Sequence, residues 1–136
     1  MHNSPAAACG APTGVVWNIA PASPPAFQIS GFTSSNVATT KPSTFIFATE
    51  DGTIVGWSSA GVDPAGFNPA APFVGNYGII AVNNSGNPSP DNGAVYKGLA
   101  IATDSTDSTV CSGKTLLYAT NFALRHEFSR GLGGDI

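Results

Sequence analysis

The sequence predicts an all-β protein without substantial helix, and three observations lead to that fold class. The chain of 136 residues contains 16 Gly and 11 Pro, and only 10% of its residues are charged. Gly and Pro at this density divide a chain into short strands joined by tight turns. No long window keeps apolar residues at the helical spacing i, i+3, i+4, i+7 without meeting Gly or Pro. The third observation is a strand-turn-strand segment that occurs twice.

The first copy of this segment is FIFATEDGTIVGWS, which extends from Phe45 to Ser58. Its two halves are rich in apolar, aromatic and β-branched residues, which favour strands. Asp51-Gly52 lies between the halves and supplies the positive-φ chemistry of a tight turn. The segment therefore predicts a β-hairpin.

The second copy is a degraded version of the first, LLYATNFALRHEFS, from Leu116 to Ser129. When the two copies are aligned on the Ala-Thr pair that they share, Tyr118 lies at the position of Phe47. The second copy therefore predicts a second hairpin. The two copies are further apart than the roughly 40 to 50 residues of one propeller blade. We therefore expect antiparallel β-propeller-like sheets that amount to about two to three blades.

Further strands are predicted from apolar runs bounded by turn residues. They cover residues 13–18, 26–32, 77–82 and 93–102. Polar segments expected to connect the strands are 33–41, 83–92 and 104–113. The Pro-rich run 59–76 is expected to be a long surface loop in which Phe67 and Phe73 pack back onto the sheet.

The chain divides into three regions on this interpretation. Residues 1–11 are expected to be a flexible leader, 12–128 a partial β-propeller repeat region, and 129–136 a disordered or divergent tail. The leader has neither a basic region nor an apolar stretch of signal-peptide length, so the sequence predicts no signal peptide in this chain.

Several strings together resemble one known family. They are PTGVVWN from Pro12, FIFATEDGTIVGWS, GIIAVNNS, GAVYKGLAIA and LLYATNF. These strings resemble the central part of a family of uncharacterised proteins that are predicted to form a β-propeller similar to NHL-repeat proteins. Family members carry an export signal and further blades on both sides. The resemblance therefore implies a partial or truncated member whose full-length form is extracytoplasmic, either periplasmic or secreted. Beyond Phe122 the family pattern is eroded, which favours truncation over a genuine divergent end.

The function predicted from this resemblance is a ligand- or protein-binding scaffold of an exported protein. The alternative is a fragment of a metal-dependent propeller enzyme of lactonase or hydrolase type, and a non-functional gene fragment is a third hypothesis. An open stack of blades exposes apolar faces and strand edges, so we also expect self-association through exposed blade edges.

Glu50 and Asp51 form the only adjacent acidic pair and are the candidates for a ligand or cation rim. One interpretation is that Asp51-Gly52 makes the turn while Glu50 is solvated. The other is that both carboxylates bind a cation or a polar ligand at a propeller face. Further loop candidates are Asp91, Asn92, Asp104 and Asp107. Calcium is conceivable for such oxygen ligands, but none of the spacings matches a calcium loop, so no metal or other cofactor is predicted.

Charge and cysteine content narrow the classes of partner. The net charge is −3 and the five Lys and Arg are scattered, which does not favour nucleic acid. No run of about 18 apolar residues predicts a membrane span. Cys9 and Cys111 fit no metal pattern, so they are either free thiols or, in an exported parent, a disulfide. The Trp and Tyr residues are expected mainly in the core, with a ligand platform as the alternative. They are Trp17, Trp57, Tyr77, Tyr96 and Tyr118.

Overall fold

The computed structural model describes residues 11–64, 77–86, 93–103 and 113–122. Within these residues the backbone forms eight strands and no helix, which confirms the all-β prediction. The strands are β1 Pro12–Trp17, β2 Gln28–Phe32, β3 Ala38–Pro42, β4 Phe45–Thr49, β5 Thr53–Trp57, β6 Ile79–Asn83, β7 Tyr96–Thr103 and β8 Thr115–Asn121. The part of the chain that the structure describes therefore contains no helix of the length and apolarity needed to cross a bilayer.

The strands form three antiparallel sheets, and none of the described sheets is closed. One sheet has four strands in the order β1-β4-β5-β6, and the other two are the pairs β2-β3 and β7-β8. The predicted hairpin corresponds to β4 and β5, which pair Phe45 with Trp57 and Ala48 with Ile54. Gly52 in its turn has a φ of 77°, as the Asp-Gly signal predicts.

The prediction that residues 33–41 form a simple connection is wrong. Strand β3 occupies the end of that run and pairs with β2 as a second hairpin. Asn36 has a φ of 59° at the turn, and the hydroxyls of Ser30 and Thr40 lie 2.8 Å apart across the strands. The run is polar because β3 is an exposed edge strand, and its β-branched Thr residues still favour extended backbone.

The four-stranded sheet has two faces that alternate along each strand. We call one the front face, and it carries Gly14, Val16, Ile46, Ala48, Ile54 and Gly56. The opposite side is the back face, which carries Val15, Trp17, Phe45, Phe47, Val55 and Trp57.

The buried core lies on the front face. Ile46, Ala48 and Ile54 are 3%, 0% and 7% exposed. They form one buried cluster with Ala94 and Tyr96, and Leu99 of β7 and Leu117 of β8 pack against this cluster. The β7-β8 pair thus covers one part of the front face.

The β2-β3 pair covers the Gly56 end of the front face. Ile29 of β2 is 3% exposed, and a Cβ at Gly56 would lie 2.5 Å from its Cγ2 atom. A side chain at position 56 would therefore push the two sheets apart, so Gly56 is what allows β2 to lie this close.

Strands β7 and β8 repeat the pairing of β1 and β4. In both pairs a register shift precedes a glycine, between Pro12 and Gly14 in β1 and between Tyr96 and Gly98 in β7. When the two strand pairs are superimposed on these glycines, each residue pair of β1-β4 corresponds to one residue pair of β7-β8. The corresponding pairs are Val15↔Phe47 with Leu99↔Ala119, Val16↔Ile46 with Ala100↔Tyr118, and Trp17↔Phe45 with Ile101↔Leu117.

Matched in this way, the face of the β7-β8 pair that packs against the four-stranded sheet corresponds to the back face of that sheet, which is a head-to-tail relation. Leu99 and Leu117 occupy the positions of back-face residues, and they pack against the buried cluster to which the front-face residues Ile46, Ala48 and Ile54 belong. Ala100 and Tyr118 occupy front-face positions and are exposed. The structure therefore relates Ile46 to Tyr118, whereas the sequence alignment related Phe47 to it. A shift of one residue exchanges the two faces of a strand.

Several predictions fall outside the described residues. These are the leader as far as residue 10, the tail, Phe67, Phe73, Cys9, Cys111 and the second half of the predicted second hairpin. The described half of that hairpin belongs to β8, whose partner is β7.

Candidate functional site

The turn between β4 and β5 holds the predicted acidic pair, Glu50 and Asp51, and its backbone is fixed locally. The Thr53 amide donates to the Thr49 hydroxyl at 3.2 Å, and the Gly52 amide donates to the Thr49 carbonyl at the same distance. The hydroxyls of Thr49 and Thr53 also lie 2.8 Å apart. These contacts form a side-chain-supported turn of the kind that Thr favours.

The turn is also anchored to the segment between β6 and β7. The Asn84 amide donates to the Gly52 carbonyl at 2.9 Å, and the Ala94 amide donates to the Asn84 carbonyl at 2.9 Å. A Cβ at Gly52 would collide with the Ala94 carbonyl oxygen and lie 3.1 Å from the backbone of Ser85. The glycine is thus required both for its positive φ and for this close approach.

We expect Gly52→Ala to lower the free energy of unfolding by about 1–3 kcal/mol, because a side chain in this backbone region is strained and has no space. Gly61→Ala is the matched control, since Gly61 has a φ of 73° and no atom within 4 Å of an added Cβ. Urea unfolding of both variants separates the effect of the positive φ, which both glycines share, from the effect of the missing space, which applies to Gly52 alone. Equal losses for the two variants would mean that contact with Ala94 contributes nothing.

Glu50 is held by a cation from the second sheet. Its carboxylate forms an ion pair with the Lys97 ammonium group on β7. The two side chains remain 47% and 43% exposed, respectively. The Glu50 amide also donates to the Ala11 carbonyl at 3.0 Å. Glu50 therefore links the turn to the chain before β1 and to β7, while Asp51 is exposed beside it.

We expect Glu50→Gln to lower stability by about 1 kcal/mol or less, because an exposed ion pair is well solvated and screened by salt. Thermal unfolding at low and high salt measures this effect, which should shrink at high salt. Asp51→Asn serves as the control for loss of one negative charge at the same turn. A large, salt-independent loss for Glu50→Gln alone would contradict a solvated pair.

Asp91, Asn92, Asp104 and Asp107 lie outside the described residues. Among the residues that are described, no group of three or more His, Cys, Asp or Glu side chains is close enough to hold a metal ion.

The back face of the four-stranded sheet is an aromatic surface, which the sequence analysis gave only as the alternative to core packing. The Trp17 and Phe45 rings meet edge to face with centroids 5.1 Å apart, and the Phe45 and Trp57 centroids are 6.0 Å apart. Trp17 is 60% exposed and Val15 beside it 57%. Apolar side chains gathered on an open sheet face are typical of an interaction surface.

The expectation of core roles for the aromatic residues is thus met only in part. Tyr96 is buried, and its hydroxyl accepts a hydrogen bond from the Asn84 side-chain amide at 2.7 Å. Trp17 and Tyr118 are mostly exposed. Alternation along the strands assigns these residues to buried or exposed faces only when the strand register is known.

A shallow, open groove of about 440 Å³ crosses the β2-β3 hairpin. Its lining is uncharged: Ser30, Gly31, Phe32, Ala38, Thr39 and Thr40. Ser30, Phe32, Ala38 and Thr40 share one face of the hairpin because their positions alternate in register. This face carries the Ser30 and Thr40 hydroxyls, which are hydrogen-bonded to each other, together with the Phe32 side chain.

Comparison of the chain with protein-family models, with curated proteins and with solved structures returned no match.

Proposed function

We propose that this chain is a non-enzymatic binding scaffold with β-propeller architecture, in which the four-stranded sheet is one blade and β7 and β8 begin the next. The observation that carries this proposal is the head-to-tail packing of the two sheets. Propellers arrange successive four-stranded sheets around an axis, so one kind of face always meets the other kind. Strands β4, β5 and β6 also follow one another across their sheet, as the outer strands of a blade do.

The proposed binding surface is the β2-β3 hairpin, which is inserted between the first two strands of this blade. Its outward-facing positions, such as Ser30 and Thr40, alternate with buried Ile29 and can vary without disturbing the contact of Ile29 with the four-stranded sheet. Its groove is uncharged, so we propose a neutral ligand such as an oligosaccharide or an uncharged peptide segment. An extracytoplasmic location is proposed on the resemblance to exported propeller proteins alone.

The alternative of a metal-dependent lactonase or hydrolase depends on Glu50 and Asp51. The ion pair with Lys97 favours a structural role for Glu50, since a bound cation would have to compete with the ammonium group. For this reason the scaffold is the function that we propose.

Amide chemical shifts of the ¹⁵N-labelled chain test the proposal during titration with neutral oligosaccharides and uncharged peptides. We expect shifts at Ser30–Phe32 and Ala38–Thr40, and we expect Thr40→Lys to abolish them by filling the groove. Val37→Lys is the matched control, because Val37 lies at the tip of the same hairpin and is 61% exposed. Calcium-dependent shifts at Glu50 and Asp51, with no response in the hairpin, would instead support the enzyme hypothesis.

A further inference from the structure

The four-stranded sheet and the β7-β8 pair each have one face that carries exposed apolar side chains. The front face of the four-stranded sheet is covered by Leu99 and Leu117, but its back face exposes Val15 and Trp17. The exposed face of the β7-β8 pair, defined by Ala100, Ala102 and Tyr118, occupies front-face positions. Among the described residues, exposed apolar side chains thus lie on the back face of the four-stranded sheet and on the front-type face of the β7-β8 pair.

The contact inside the chain indicates what fits the open back face. Leu99 and Leu117 lie at the positions equivalent to Val15 and Phe45, and within the same molecule they already pack against the buried cluster that includes the front-face residues Ile46, Ala48 and Ile54. Val15 and Phe45 on the four-stranded sheet are therefore placed so that they can pack on another front-type face in the same way.

We infer that the back face of the four-stranded sheet docks onto the exposed β7-β8 face of a second copy of this chain. Both faces are built from alternate positions of paired strands in matching registers, so the contact between molecules would continue the contact within each one. The inference depends on the head-to-tail packing and does not require the proposed ligand-binding role.

Such an interface is heterologous, because two different surfaces of the chain meet. Heterologous contacts form a ring when the rotation between copies closes, and they form an open series otherwise. The interface proposed here joins the side-chain faces of two sheets. Association through strand edges would instead join backbone hydrogen-bonding groups.

Light scattering during size-exclusion chromatography tests the inference over a wide range of protein concentration. We expect the full chain to exceed the monomer mass increasingly as its concentration rises. Trp17→Glu and Tyr118→Glu should each be monomeric, since each removes one of the two faces. Both side chains are mostly exposed, so the fold should tolerate the changes. Val37→Glu, outside both faces, should associate like the unmodified chain.

Mixing the two charged variants gives the decisive result. The Trp17→Glu chain keeps the Tyr118 face, and the Tyr118→Glu chain keeps the Trp17 face, so an equimolar mixture should form a dimer and stop there. A monomeric unmodified chain, a self-associating Tyr118→Glu variant or a monomeric mixture would each overturn the inference. Val15→Lys replaces Trp17→Glu in the same test if far-UV circular dichroism shows that the latter is unfolded.

Discussion

Replacement of Ile46 by Ala is expected to lower the free energy of unfolding by about 2–5 kcal/mol. Ile46 is 3% exposed at the centre of the front-face cluster, where Ala48 and Ile54 are its buried neighbours. Truncation removes apolar contacts and leaves a cavity between two sheets whose backbones are already close. The loss is therefore expected near the upper part of that range.

The matched control for Ile46 is Ile80→Ala in the same sheet. Ile80 pairs with Val55 in strand β6 and is 58% exposed, so its truncation should change stability by about 0.5 kcal/mol or less. Urea unfolding of both variants measures the difference. Similar losses for Ile46→Ala and Ile80→Ala would contradict a core confined to the front face.

Gly14→Ala is expected to produce the second large effect, a loss of about 1–3 kcal/mol from overpacking. A Cβ at Gly14 would lie 2.6 Å from the backbone nitrogen of Leu99 and 3.0 Å from the Cα of Gly98. These are backbone atoms, so no side-chain rotation can make room. Strand β7 would have to move away from β1, which would also loosen the contact of Leu99 with the core.

Gly98→Ala is the matched control because Gly98 lies on the other side of the same contact. A Cβ there would meet only the Thr120 hydroxyl oxygen, at 3.5 Å, which is an ordinary contact. We expect this variant to unfold like the original chain, as measured by urea titration followed by Trp fluorescence. If Gly98→Ala cost as much as Gly14→Ala, the relative placement of β1 and β7 would be wrong.

The local elements were predictable because their signals lie within a few residues. The apolar run from Phe45, the Asp51-Gly52 turn and the return strand together specify a hairpin, and the structure contains it. Strand β3 is not predictable from apolar content. An edge strand with its side chains in water needs only extended-backbone preference, which Thr39 and Thr40 supply.

The arrangement of the sheets was not predictable from the repeat alone. The two copies align best on Ala-Thr, but the register of β7 and β8 relates Ile46, not Phe47, to Tyr118. That one-residue difference decides which face is buried. At Gly14, strand β1 lies close to β7, which is far away in the sequence. A single glycine in a sequence does not indicate which strand will pack against it.

The candidate site was predictable in location but not in its contacts. Glu50 and Asp51 do lie on the hairpin turn, as their sequence position indicates. The partner of Glu50 is Lys97, which comes from a different sheet and has no local sequence signal. The aromatic back face likewise emerges only when the pairing of Trp17 with Phe45 and of Phe45 with Trp57 is known.

Nuclear Overhauser effects between the two sheets test the head-to-tail packing most directly. We predict contacts from the methyl groups of Leu99 and Leu117 to the Ile46 side chain within one molecule, and none from the Tyr118 ring to Ile46. Samples in which labelled and unlabelled chains are mixed distinguish these contacts from those between molecules. Contacts from the Tyr118 ring to Ile46 within one chain, with Leu117 facing solvent, would contradict the head-to-tail packing of the two sheets.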